Sequence, residues 1–205
     1  AEIAALCLRR VAGAISEPDD WGWEARTGAR GVIYAAGDVG LASHIRFHRS
    51  PVRVGVEALR RGCRIVTDVR MVEVALDRAR CSGFRCDVSC AIAAPSVAEE
   101  ARRQNIARAA IAMRLAAPQL DGGIAVIGNA PTALLALLDL IDSGATRPAL
   151  IIGMPVGFVA AAESKQELLS RQIPAISILG SRGGSAVAAA ALNALLRLAA
   201  APATP

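Results

Sequence analysis

The sequence predicts a doubly wound, three-layer α/β/α fold, in which helices cover both faces of a mainly parallel sheet of about five strands. Short apolar runs alternate with helical patterns along the whole chain. Hydrophobic residues make up 54% of the 205 residues, which suits a sheet that is covered on both faces. Because no internal repeat or linker interrupts this alternation, we expect one domain spanning residues 1–205.

The first half of the chain gives the less regular part of the pattern. Ser50 and Pro51 are typical of the start of a helix, and Gly62 of its end. Ser96 and Glu99 form a capping box, which predicts one long helix to about residue 116. The predicted elements are a helix over 1–14, a polar connection over 16–30, a strand over 31–36, the helix from 51, a strand over 64–67, a short helix beginning within 68–77, a loop over 78–85 and a strand over 87–92.

The second half repeats one unit three times: an apolar run, a Gly-rich loop and a helix. The predicted strands cover 124–127, 149–152 and 175–179, and the helices cover 131–143, 160–171 and 185–199. The loops begin at Gly128, Gly153 and Gly180 and carry no charge over their first residues, apart from Arg182. Ligands of open α/β sheets bind at the carboxyl ends of the strands, and helix N-termini offer free N–H groups to anions. The sequence therefore predicts a site for a large anionic small molecule.

Composition narrows the class of partner. Net charge is +5, aromatic residues make up only 3% of the chain, and the charges are scattered, so we expect no nucleic-acid partner. Lys165 is the only lysine; the many arginines suit carboxylates or phosphates, although GC-rich coding gives the same bias. No stretch is long and apolar enough for a membrane helix and none is typical of a secretory signal, which favours the cytoplasm.

Common catalytic and metal-binding motifs are missing or weak. The chain has no P-loop, no dinucleotide fingerprint and no nucleophile elbow. Cys81, Cys86 and Cys90 have the spacing of a loose metal or iron–sulfur nest, but small buried residues and loop thiols give the same pattern. His44 and His48 would share a face on a helix and could hold a metal, or they are surface residues. We expect no metal and no cofactor.

Four charged residues are candidates for ligand binding. Asp38 and Asp68 follow predicted strands, where they either contact a ligand or cap a turn. Arg108 could clamp a carboxylate or lie on a solvated helix face, whereas the glycines around Arg182 favour ligand contact.

The loops are specific enough to indicate a family. The chain resembles the precorrin-8X methylmutases, also called cobalt-precorrin-8 methylmutases, over nearly its whole length. The resemblance rests on Gly128-Asn-Ala-Pro-Thr-Ala-Leu134, on Gly153-Met-Pro-Val-Gly-Phe-Val159 with Ala162-Glu-Ser-Lys165, on Gly183-Gly-Ser-Ala186 with Ala190-Ala-Leu-Asn193, and on Thr67-Asp-Val-Arg-Met-Val72.

The resemblance implies an isomerase of cobalamin biosynthesis. Such enzymes move one methyl group between neighbouring ring carbons of a tetrapyrrole that is fringed with carboxylates, by a sigmatropic shift that needs no external cofactor. They are homodimers with the active site close to the dimer interface. An alternative reading is a catalytically impaired relative that binds a corrinoid as carrier or partner.

The chain departs from the family at the proton donor. The family's histidine lies in an apolar-apolar-His-Ala segment, which is Val32-Ile33-Tyr34-Ala35 here, so Tyr34 takes the catalytic position. A phenol has an ordinary pKa of about 10 and an imidazolium one of about 6.5, a difference worth roughly 5 kcal/mol in proton-transfer free energy. His44 and His48 are alternative donors, 10 and 14 residues further on.

Other departures lie in the same half of the chain. Gly31 stands where the family has an arginine, with Arg30 adjacent, and a serine of the first helix is replaced near Cys7. Arg108 is kept, whereas the threonine before it is lost. The loops and the resemblance together predict a catalytic pair, Tyr34 and Arg108, and substrate contacts at Cys7, Arg30, Gly31, Thr67, Asp68, Met71, Asn129, Thr132, Met154, Gly157, Phe158, Arg182, Gly183, Gly184 and Ser185.

Overall fold

The protein is an α/β molecule built on one six-stranded sheet. Its computed structural model describes residues 2–14 and 22–201. The strands are β1 (Ile45–His48), β2 (Ile65–Thr67), β3 (Val88–Ser89), β4 (Ile124–Ile127), β5 (Leu150–Gly153) and β6 (Ala175–Ile178). They lie in the order β1-β6-β5-β4-β2-β3, and every neighbouring pair is parallel except β1 with β6.

Helices connect the strands. They are α1 (Glu2–Ala14), α2 (Trp23–Ala36), α3 (Pro51–Arg60), α4 (Arg70–Ala75), α5 (Arg78–Gly83), α6 (Pro95–Gln104), α7 (Arg108–Ala116), α8 (Pro131–Asp142), α9 (Ala161–Ser170) and α10 (Ser185–Ala200), with short 3-10 turns at Val39–His44 and Ala117–Gln119. In the part of the chain that the structure describes, no helix is long and apolar enough to cross a membrane.

Alternate residues of the central strands face two separate apolar cores. Ile124 and Val126 of β4 belong to the core that α2, α3, α4, α5 and α10 cover. Ala125 and Ile127 belong to the core under α7, α8 and α9. This confirms the predicted three layers, because successive side chains of a strand point to opposite faces of the sheet.

Five of the predicted strand segments belong to the sheet, and its sixth strand is one that we did not predict. The additional strand, β1, forms an antiparallel edge against β6, pairing Ile45 with Ile178. Its sequence, Ile-Arg-Phe-His, alternates apolar and polar residues as a half-buried strand does, but at four residues this pattern is too short to stand out beside the apolar runs of the other strands. It also separates the two histidines from any common helix face, because His44 ends a 3-10 turn and His48 ends the strand.

The predicted strand over 31–36 is wrong, because these residues form the last turns of α2. Val32 and Ile33 are β-branched and mimic a strand, but they share the buried face of a helix with Ala29. The preceding connection over 16–30 is also wrong from residue 23 onward, where α2 begins; residues 15–21 lie outside the described part.

Three other local predictions differ from the structure. The loop over 78–85 contains α5, which Asp77 caps by accepting the N–H of Arg80. The predicted long helix begins at Pro95 rather than at a capping box, and it breaks at Asn105, which adopts a left-handed conformation before α7 begins. Ser50 precedes α3 as expected, but its side chain makes no cap hydrogen bond.

Candidate active site

The first Gly-rich loop is organised by a buried carboxylate. Asp68 follows β2, and its oxygens accept hydrogen bonds from the backbone N–H groups of Gly128 (3.1 Å), Asn129 (2.8 Å) and Ala130 (2.8 Å). Burial raises the pKa of the Asp68 carboxyl, and the three N–H groups oppose this by stabilising its charged form. Asp68 thus occupies the anion-binding end of α8 itself, so these three N–H groups already have a partner within the protein.

The second and third loops are joined into one unit. The ammonium of Lys165 is fully buried and donates to the carbonyl oxygens of Pro155 (3.0 Å) and Arg182 (2.6 Å). The N–H of Gly184 donates to the Met154 carbonyl at 2.9 Å. Because burial disfavours its charge, the pKa of Lys165 falls to about 8. The position of each loop therefore depends on the other.

An ion pair connects the third loop to the end of α2. The guanidinium of Arg182 lies 3.2 Å from Asp38, whose other carboxylate oxygen accepts the N–H of Gly40 at 2.8 Å. Both side chains are about half exposed, so a substrate carboxylate could reach the same guanidinium. Of the two roles considered for Asp38, the structure shows the turn cap.

Tyr34 lies at a cavity of about 460 Å³ between α2 and α10. Its ring is 47% exposed, in the last turn of α2. Small side chains form most of the walls, so the cavity is wide and largely apolar. The lining residues are Leu8, Gly31, Tyr34, Ala35, Ala75, Ala186, Ala189, Ala190, Asn193 and Arg197.

Among the described residues that line this cavity, three have polar side chains. Asn193 is already engaged, since it accepts the N–H of Asp77 (2.8 Å) and donates to the carbonyl of Ala75 (2.9 Å). The Tyr34 hydroxyl and the Arg197 guanidinium make no hydrogen bond or ion pair with any described residue. The cavity can therefore offer an apolar ring system one hydroxyl and one positive charge.

Arg108 is not part of this cavity. It is exposed at the start of α7 and lines a second cavity, of about 580 Å³, with residues of α6 and of the break between the two helices. The two cavities share no lining residue. Since α2 and α7 cover opposite faces of the sheet, one chain does not bring Tyr34 and Arg108 together.

The remaining predicted contacts fall into three groups. Gly31 lines the Tyr34 cavity, and Arg30 lines an adjoining cavity of about 230 Å³ with Leu8, Arg9, Ala12, Thr27 and Arg197. Thr67 and Met154 are buried, as is the hydroxyl of Ser185, which has no hydrogen-bond partner among the described residues. The partly or fully exposed ones are Cys7, Met71, Asn129, Thr132, Gly157, Phe158, Gly183 and Gly184.

The histidines and cysteines lie elsewhere. His44 hydrogen-bonds the Gly40 carbonyl at 3.0 Å, and His48 that of Arg171 at 2.9 Å; neither lines the Tyr34 cavity. The five cysteines are free thiols. The described residues contain no group of three or more His, Cys, Asp or Glu that could hold a metal ion.

Sequence reasoning missed Arg197 and the part that Asn193 plays. Asn193 stands in a quoted motif, but its partners, Ala75 and Asp77, are remote in sequence. Arg197 gave only a weak signal in the sequence, because one arginine in an apolar helix is usually a solvated residue. Its spacing from Ala190 and Asn193 does place all three on one side of α10, which is the only sequence signal available.

Comparison with known proteins agrees with the family resemblance seen in the sequence. The sequence model of the precorrin-8X methylmutase family matches residues 3–198. A cobalt-precorrin-8 methylmutase of Priestia megaterium is 46% identical over 168 residues, covering 82% of this chain and 75% of that protein. A precorrin-8X methylmutase of Pseudomonas aeruginosa is 44% identical over 166 residues, covering 80% and 79%.

Solved structures agree with the sequence comparison. The precorrin-8X methylmutase of Thermus thermophilus superposes with a TM-score of 0.88 at 38% identity, covering 97% of this chain and 95% of that one. A precorrin-8X methylmutase related protein superposes with a TM-score of 0.85 at 33% identity, covering 93% and 99%.

Proposed function

Because the chain belongs to the precorrin-8X methylmutase family, we propose that it is an isomerase of cobalamin biosynthesis that moves a methyl group between neighbouring ring carbons of precorrin-8X or its cobalt form. The observation that carries this proposal is the place of Tyr34. The residue at the family's proton-donor position lies at the mouth of a wide apolar cavity, with its hydroxyl unpaired among the described residues.

The cavity supports a simple division of roles. Its alanine and glycine walls leave room for a flat macrocycle and contain few polar groups that the ring would have to pair with. The Tyr34 phenol donates a proton to the ring system, which eases migration of the methyl group, and the phenolate takes a proton back afterwards, so that substrate and product differ only in the position of the methyl group. A positioned general acid contributes roughly 10²- to 10⁴-fold to a rate. A phenol is a weak acid at neutral pH, so we expect slow turnover.

The other predicted contacts are part of the same proposal. Arg182 and Arg108 bind carboxylates at the rim of the macrocycle, and the three loops form one wall of the site. Residues 1–205 act as one domain.

The domain forms a homodimer whose active site lies near the interface. The exposed side chains of Val156, Phe158 and Val159 support a site at an interface, because a patch of large apolar groups on one loop favours burial against a ring or a second chain. Free thiols suit a reducing cytoplasm.

One experiment tests the role of Tyr34. The purified protein is incubated with precorrin-8X, and conversion to the corrin product is followed by its absorption spectrum. We expect slow turnover by the wild type, loss of at least about 100-fold in Tyr34→Phe, which removes only the hydroxyl, and faster turnover in Tyr34→His. Val39→Ala, an exposed residue beyond the end of α2, is the control and should keep the wild-type rate.

The position of Tyr34 supports an isomerase, but its weak acidity, in place of the family's histidine, favours a second candidate: a relative that binds a corrinoid without converting it. That reading predicts tight binding by the wild type with no turnover, and turnover gained only in Tyr34→His. Equal rates for the wild type and Tyr34→Phe would instead exclude the phenol as the proton donor. A protein that binds no corrinoid would overturn both candidates.

A further inference from the structure

Arg197 lies where α10 crosses α2, and the absence of a side chain at Gly31 makes room for it. A Cβ atom added at Gly31 would lie 3.2 Å from Nη2 of Arg197 and 3.6 Å from the Cβ of Ala194. The first distance is tighter than ordinary van der Waals contact, so a methyl group at position 31 would push the guanidinium aside by a few tenths of an ångström. Gly31 and Arg197 thus form a matched pair across the two helices.

The guanidinium has no partner of its own among the described residues. The acid that acts on it electrostatically is Asp77, which already accepts the backbone N–H of Arg80 at 3.0 Å and pairs with the Arg80 guanidinium. Partial burial and the charge of Arg80 lower the pKa of Arg197, and Asp77 raises it. A guanidinium stays charged in a protein, and the side chain of Arg197 is exposed, so an anion can reach it from solvent.

The contact with Gly31 relates the position of Arg197 along α2 to that of Tyr34. Gly31 precedes Tyr34 by three residues on α2, which places both on one face with Cβ positions about 5–6 Å apart. Arg197 therefore contacts α2 about one helical turn before Tyr34, and both side chains line the same cavity. It also lines the adjoining cavity, together with Arg9 and Arg30.

We infer that Arg197 binds a peripheral carboxylate of the macrocycle and so determines which part of the ring lies against Tyr34. The inference rests on the proposed function, since it names a subsite of the same cavity. A planar guanidinium holds a carboxylate through two parallel hydrogen bonds, which fixes orientation as well as distance. The apolar walls of the cavity would leave the ring free to rotate without such an anchor. Arg197 is in this sense a positioning residue.

Binding of the carboxylate-rich corrin product, followed by isothermal titration calorimetry, tests the inference. We expect Arg197→Met to weaken binding by roughly 10- to 100-fold, and Arg197→Lys to lose less, because lysine keeps the charge but not the paired hydrogen bonds. Gly31→Ala should also weaken binding although Arg197 is intact, since the new methyl group displaces the guanidinium. Arg64→Met removes an equal charge beside Asp87, outside all three described cavities, and should bind as the wild type does.

The methyl ester of the product separates a carboxylate contact from a structural effect. Its binding should be weak and equal in the wild type and in Arg197→Met. If the wild type binds the free acid but Arg197→Met and Gly31→Ala bind it as Arg64→Met does, the inference is wrong and the proposed function stands. If Arg197→Met weakens binding of acid and ester equally, the residue acts on the fold, and the inference is again wrong. If the wild type binds neither form, the proposed function itself fails.

Discussion

Lys165 is the only lysine in the chain, and it is fully buried between two loops of the candidate site. Its ammonium donates to two backbone carbonyls and has no carboxylate partner among the described residues. A buried charge that is hydrogen-bonded but not neutralised costs free energy at neutral pH. The residue therefore orders the loops at an electrostatic cost that pH can change.

We expect the wild type to gain stability relative to Lys165→Met as pH rises from about 8 to 10.5. The folded pKa of Lys165, about 8, lies below the ordinary value of 10.5, so the unfolded chain binds more protons between these limits. Stability attributable to this group is therefore complete above pH 10.5 and is lost as pH falls through 8. The full change is about 3 kcal/mol. Urea unfolding of both proteins at several pH values measures it.

Methionine is the matched comparison because it has a similar length and no charge. Other groups titrate in the same range, but they are common to both proteins and cancel in the difference. Curves that stay parallel from pH 7 to 10.5 would show that Lys165 is not desolvated in the folded protein. A difference that shrinks as pH rises would give the opposite sign and contradict the structure.

Individual residues show which parts of the candidate site could be predicted from the sequence. Asp38 and Asp68 were identified as strand-end or turn residues with two possible roles, and the structure shows the capping role for both. For Asp68 this role depends on partners that are remote in sequence, since it binds N–H groups about 60 residues away, whereas Asp38 caps a turn only two residues on, at Gly40. Arg197 needed the crossing of α2 and α10, which no local pattern contains.

At the level of elements, the sequence predicted the second half of the chain well and the first half poorly. Strands β4, β5 and β6 are uniformly buried apolar runs between glycine-containing loops, so the local pattern and the fold agree. By contrast, α2 contains the β-branched residues Val32 and Ile33, which are typical of a strand and led to the wrong prediction. It is a helix because its small residues allow close packing on α10, and that contact lies about 160 residues away in the chain.

The joined second and third loops give a prediction at this scale. A Cβ atom at Gly183 would lie 2.3 Å from the Met154 carbonyl oxygen and 2.9 Å from that of Pro155, and both are backbone atoms. The residue also has φ of +155°. We expect Gly183→Ala to lower the free energy of unfolding by about 3–5 kcal/mol, because backbone cannot move aside without separating the loops. Urea denaturation measures the loss.

Gly180→Ala is the matched control in the same loop. Gly180 also has a positive φ, +76°, but no atom lies within 4 Å of the added methyl group. The free energy of unfolding should fall only by the cost of placing alanine in a left-handed conformation, about 1–2 kcal/mol. Equal losses in the two variants would mean that backbone conformation, and not the close approach of the loops, decides the stability of this edge.

At the level of the whole molecule, the sheet separates the two residues that were predicted to act together. The cavity of Tyr34 lies on the face covered by α2 and α10, and Arg108 lies on the side covered by α7. The two residues line separate cavities that share no lining residue, so nothing within a single chain places Arg108 beside Tyr34. A twofold dimer with the site near its interface removes the difficulty, since each site then combines residues from both copies.

We expect a light-scattering mass of roughly twice 21.1 kDa for the purified protein. We also expect activity to return when two inactive variants, Tyr34→Phe and Arg108→Met, are mixed and allowed to exchange subunits. Half of the resulting dimers contain one chain of each kind, and each of these has one site with an intact tyrosine and the partner's intact arginine. The recovered rate should approach a quarter of the wild-type rate.

The mixing experiment decides between two arrangements of the dimer. If Tyr34 and Arg108 of the same chain served one site, every site in a mixed dimer would carry one substitution, and no activity would return. The control is a mixture of Tyr34→Phe with Tyr34→Phe,Arg108→Met, in which no site can contain an intact tyrosine. Recovery in the first mixture alone would assign the two residues to sites shared between subunits. A monomeric mass, or a dimer that recovers nothing, would contradict the shared site and leave Arg108 without a role at Tyr34.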